Sequence, residues 1–121
     1  QIARLLRHAL AEHDKSPVRA VAFIGDALEE NPDTLTELAG QCGLHRLPLF
    51  LFQEGYLPEV KRTFSDMARL SGGALAHFDS ASADTLAALL GAVARYAAGG
   101  RSALENNSSD SAKLLLSQLK P

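Results

Sequence analysis

Three short runs in this chain are apolar at nearly every position: VRAVAFIG from Val18 to Gly25, LPLFLFQ from Leu47 to Gln53, and ALAHF from Ala74 to Phe78. A strand with one wet face alternates apolar and polar residues, whereas a strand covered on both faces reads as a continuous apolar run. Such runs demand two covering layers, and the segments around them have helical periodicity. The first helix extends from Ile2 to about His13, with Ile2, Leu5, Leu6, Ala9 and Leu10 on one face, and Asp14-Lys15-Ser16-Pro17 ends it. Asn31-Pro32-Asp33 opens the second helix with a cap, a proline at the first helical position and an acid in the first turn. Leu35, Leu38, Ala39 and Cys42 form its inner face, and Gly43 is its expected stop. A third helix begins near Pro58, turns Val60, Phe64, Met67, Ala68 and Leu70 inward, and ends at Gly72-Gly73. The fourth runs from about Ser82 to Ala98 on Leu86, Leu89, Leu90, Val93 and Ala97, closed by Gly99-Gly100.

This alternation predicts an α/β fold: a three-layer α/β/α arrangement, Rossmann-like, around a small parallel sheet of about three strands with right-handed crossovers. Residues 1–105 read as part of a single α/β domain. Residues 106–121 read as a polar linker, Asn106-Asn107-Ser108-Ser109, and a short helix offering Leu115, Leu116 and Leu119 to this domain or to a partner. At 121 residues only one modest core can form. Three strands are few for such a sheet, and an open edge invites pairing. The chain also starts at Gln1, already inside an amphipathic pattern, so it reads as a piece of a larger domain.

In an open α/β sheet ligands gather at the carboxyl ends of the strands. Those ends carry Asp26, Glu29 and Glu30, then Gln53 and Glu54, then Asp79 and Ser80. Oxygen donors on one rim suit a hard cation such as Mg²⁺, although Gly25-Asp26 is also an ordinary turn pair. His8, His13, His45 and His77 have no zinc-ligand spacing. Neither a phosphate loop nor a nucleophile elbow is present. Cys42, the only cysteine, sits on the apolar side of a helix and is expected to be a buried, inert thiol in a reducing compartment. A net charge of −2 argues against nucleic acid and anionic membranes as partners.

VRAVAFIGDALEE, LPLFLFQEG, FSDMARLSGGALAHFD and LAALLGAVARYAAGG, in this order, resemble the C-terminal half of a von Willebrand factor type A (VWA) domain of the bacterial intracellular branch. The resemblance spans residues 1 to about 105. It implies a cytoplasmic, non-enzymatic protein-interaction module whose intact form binds Mg²⁺ at a metal-ion-dependent adhesion site and recruits a protein partner's carboxylate. Asp26 matches the aspartate that follows the fourth strand in that family. The other ligands, an Asp-x-Ser-x-Ser loop and a threonine, have no match in this chain. The resemblance puts them before Gln1, so no tightly bound metal is expected here. It also puts a further strand beside the run from Val18 to Gly25. That edge is therefore expected to pair with a second copy or to lie under a terminal helix. The rival reading is a small α/β enzyme or signalling domain, phosphatase-like or receiver-like, using Asp26 as base, nucleophile or phosphoacceptor. The Asp-x-Asp motif of the first and the paired acids and lysine of the second are absent.

Overall fold

The computed structural model describes residues 1–15 and 19–119. Its elements follow in the order α1 (Ile2–Lys15), β1 (Val21–Gly25), α2 (Pro32–Leu44), β2 (Leu49–Glu54), α3 (Pro58–Ser71), β3 (Ala74–Phe78), α4 (Ala83–Glu105) and α5 (Asp110–Leu116). The strands form one parallel sheet in the order β1-β2-β3. Val21 stands opposite Leu49, and Phe50 opposite Ala74. The fold is the mixed α/β arrangement expected. Val18 and the Ser16-Pro17 break lie outside the described residues; the ladder begins at Val21, whose N–H donates to the Pro48 carbonyl at 3.2 Å.

Alternation along each strand sorts the core into two clusters. One contains Leu49 and Leu51 of β2 with the inner faces of α1, α2 and α3, joined by Val21, Phe23 and Leu75. The other contains Phe50, Phe52, Ala74, Ala76 and Phe78 with α4 and α5. Helices thus cover both faces, as three continuous apolar runs require. None of the described helices is long and apolar enough to cross a membrane.

The helix faces differ from expectation where side-chain direction overrides side-chain size. On α1 the small Ala3 is buried and Leu5 lies at the margin, 36% exposed. Leu70 on α3 and Leu90 on α4 also turn partly outward, while Ala92 takes an inner place on α4. All four inner residues expected of α2 are buried, and the Asn31 side chain accepts from the Asp33 N–H at 2.8 Å as its cap. Gly43 does not stop α2, which continues to Leu44. A side chain at Gly43 would overlap the Leu70 carbonyl, so its role is to let α2 and α3 cross closely. The cap geometry falls instead on Arg46, at φ 57°, where the Leu47 N–H donates back to the Cys42 carbonyl at 2.8 Å.

Gly100 interrupts α4 at φ 71° and ψ −163°, and the chain then re-enters helix and buries Leu104. The tail packs on this chain. Ser109 caps α5 by accepting from the Ala112 N–H, and Ala112, Leu115 and Leu119 enter the second core cluster. Gln118 then closes part of the outer edge of β3. Its Oε1 accepts from the Leu75 N–H at 2.7 Å and its Nε2 donates to the Leu75 carbonyl at 2.8 Å, as a neighbouring strand would.

Docking of the tail predicts an asymmetry between adjacent leucines. Leu115→Ala should cost about 2–5 kcal/mol in chemical denaturation, because Leu115 is fully buried while Leu114 is 45% exposed. Leu114→Ala should stay within about 0.5 kcal/mol of the wild type. Equal effects would place the tail elsewhere.

Candidate functional site at the carboxyl rim of the sheet

Because all three strands are parallel, Gly25, Glu54 and Phe78 end on the same rim. Asp26 follows β1 directly, is exposed, and makes no hydrogen bond or ion pair among the described residues. It borders a cavity of about 420 Å³ together with Phe23, Gly25, Glu29, Glu30 and the start of α1. Every ionisable side chain on this lining is a carboxylate.

The neighbouring acids are divided between different tasks. Glu29 is exposed. Glu30 is committed to α1: its carboxylate accepts the N–H groups of Ile2 and Ala3, the latter at 2.8 Å, and meets the α-amino group of Gln1. The first N–H groups of a helix have no partner within it, and a carboxylate there also opposes the helix dipole favourably. Burial works against the charged form of Glu30. Hydrogen bonds from the α-amino group and from the Ala3 and Ile2 N–H groups outweigh it and hold the carboxyl below its usual range.

At the tip of β3, Asp79 accepts from the Ala81 N–H at 2.9 Å, which shapes the turn into α4. At the tip of β2, Gln53 is fully buried. Its Nε2 donates to the Leu57 carbonyl at 3.2 Å, while its Oε1 has no partner. Gly55 turns the chain at φ 80°, and Tyr56 then stacks on His77 with ring centroids 4.5 Å apart. The His77 Nδ1–H donates to the Gly55 carbonyl at 3.1 Å. This aromatic pair was not legible, since one ring comes from the loop after β2 and the other from β3, with all of α3 between them.

Among the described residues no three His, Cys, Asp or Glu side chains converge closely enough to hold a metal ion. Mg²⁺ requires near-octahedral oxygen coordination and gives up its waters reluctantly. Asp26 and the exposed Glu29, with Glu30 engaged elsewhere, do not supply a complete site. His13 and His45 approach in a T-shaped arrangement, with ring centroids 6.4 Å apart, at the far ends of α1 and α2. Cys42 is buried, and burial pushes its thiol up to about 11, away from nucleophilic chemistry at neutral pH. A scan of protein-family models and searches of curated proteins and solved structures find no match to this chain.

The cap on α1 gives a pH test. The folded-state pKa of Glu30 is lowered, so the stability it contributes is present above the unfolded value of 4.5 and disappears as pH falls through the folded value. Glu30→Gln should lower stability at pH 7 by about 1 kcal/mol. The gap between variant and wild type should close in denaturation curves taken at progressively more acid pH. A gap that stays constant would show that the charge of Glu30 is not what caps α1.

Proposed function

We propose that this chain is a non-enzymatic protein-interaction module, the C-terminal part of a VWA-like domain. In this reading Asp26 supplies one carboxylate to a divalent-cation site whose remaining ligands belong to a segment with an Asp-x-Ser-x-Ser loop, and the ion engages a carboxylate of a protein partner. The observation that carries the reading is the situation of Asp26: at the carboxyl end of an edge strand, exposed and unengaged. A ligand meant for an ion shared with a neighbouring segment needs that freedom. Of the neighbouring acids, Glu30 instead holds the start of α1 and Asp79 accepts a hydrogen bond in the turn before α4. The same reading expects a bacterial cytoplasmic protein.

The rival reading, Asp26 as base or phosphoacceptor, gains less support. Among the described residues, the cavity beside Asp26 is lined by no lysine, histidine or hydroxyl-bearing side chain that could assist such chemistry.

Metal titration tests the proposal on the chain itself. Calorimetry with Mg²⁺ should show no micromolar site. Millimolar Mn²⁺ should broaden the amide resonances of Asp26 and Ala27 before those of Glu54 or Asp79, and Asp26→Asn should abolish the preference. Broadening centred on another strand tip, or unchanged by Asp26→Asn, would remove Asp26 from any metal role. A micromolar Mg²⁺ site abolished by the same variant would overturn the claim that the chain holds only a fraction of the site.

A further inference from the structure

The outer edge of β1 differs from every other strand edge in the sheet. Both sides of β2 are paired, and the outer side of β3 is met at Leu75 by Gln118. Among the described residues strand β1 pairs with β2 only. In a parallel ladder alternate residues turn both backbone groups to one neighbour. Because the Val21 N–H donates to β2, Val21, Phe23 and Gly25 face β2 while Ala22 and Ile24 present their N–H and C=O groups outward. Over this edge the second sheet face is thinly covered: Ala20 and Ala22 are half-buried and Ile24 is 42% exposed. Natural edges of this kind are protected by proline, an inward charge or a bulge. The strand VAFIG has neither proline nor charge and pairs in unbroken register with LFLFQ.

The two ends of the strand carry opposite charge. Exposed Arg19 precedes it, and exposed Asp26 and Glu29 follow it. Parallel addition of an identical strand would set like-charged ends together; antiparallel addition sets the Arg19 end of one copy beside the acidic end of the other. An antiparallel register with its two-fold axis at Ala22 also matches sizes across the seam. Ala20 meets Ile24 of the second copy on one face, and Val21 meets Phe23 on the other. In that register the outward N–H and C=O groups of Ala22 and Ile24 become hydrogen-bonded pairs with those of Ala22 and Ala20 in the second copy. A contact of this type is self-complementary and closes on itself, which limits assembly to a dimer.

We propose that β1 pairs antiparallel with β1 of a second copy about a two-fold axis at Ala22, joining two three-stranded sheets into one. This stands on the strand edge of this chain by itself: the association needs no ion and can be measured in EDTA, whereas in an intact VWA-like domain the further strand would take the same edge. Ile24→Lys places a charge at the seam on a side chain already partly in solvent. Ala22→Pro removes an N–H that no bond within the chain uses.

Sedimentation velocity in EDTA across a hundredfold concentration range should show a dimer for the wild type. Hydrogen exchange should show protected amides at Ala22 and Ile24 as well as at Val21 and Phe23. Both variants should shift the dissociation constant upward by at least tenfold with an unchanged far-ultraviolet spectrum. A wild-type monomer at all concentrations, with Ala22 and Ile24 exchanging rapidly while Val21 and Phe23 stay protected, would overturn the proposal. So would a dimer whose affinity neither variant alters. Should a variant fail to fold, the exchange pattern of the wild type decides alone.

Discussion

The structure depends on the burial of β2 on both faces at once. Leu49, Phe50, Leu51 and Phe52 are each no more than 1% exposed. Leu49 and Leu51 anchor the layer of α1, α2 and α3, while Phe50 and Phe52 anchor the layer of α4 and α5. Burying a large apolar side chain contributes about 1.5–3 kcal/mol, so these four residues couple the two layers through one strand. The ends of that strand are prepared accordingly. Pro48 precedes it where no N–H is needed, the Ser71 hydroxyl accepts from the Leu49 N–H at 3.0 Å, and Gly73 leaves room for the Leu49 carbonyl.

Much of this was legible because it is local. The third strand was expected at 74–78 and lies there, since Gly72-Gly73 before it and Asp79 after it are strong punctuation. The start of α2 was legible for the same reason: Asn31, Pro32 and Asp33 each suit the first turn of a helix by a separate mechanism. Contacts between distant segments were not legible. Gly43 has the composition of a helix stop and the position of a crossing point, and only the approach of α3 distinguishes the two. Gln118 meets Leu75 across 43 residues, and no periodicity announces that a side-chain amide will stand in for a strand. Leu5, Leu70 and Leu90 were expected inside because they fall on the apolar stripe of each helix, but the covered arc is narrower than that stripe.

At the candidate site the carboxyl rim was expected to gather oxygen donors, and it does carry Asp26, Glu54 and Asp79 at successive strand tips. Their availability is set by the start of the next helix or by a helix brought close from elsewhere. Glu30 is held by α1 and Asp79 by the turn into α4, and these attachments leave Asp26 exposed beside the open edge. Asp26 and the β1 edge thus form one continuous unsatisfied border, a carboxylate at its tip and backbone groups along its side. A shared ion would use the tip of that border, and its side can pair with a second copy of this chain or with the further strand of an intact domain, but not with both.

Native-state hydrogen exchange, comparing Leu35→Ala in α2 with Leu89→Ala in α4, tests most directly whether β2 couples the two layers. Both leucines are buried, one in each layer. If β2 makes the molecule one cooperative unit, the amides of Leu51 and Phe52 exchange only through global unfolding, and each variant lowers their protection by the full loss of stability it causes. If one variant unfolds its own helical layer and leaves the protection of Leu51 and Phe52 untouched, the layers are independent and the account is wrong.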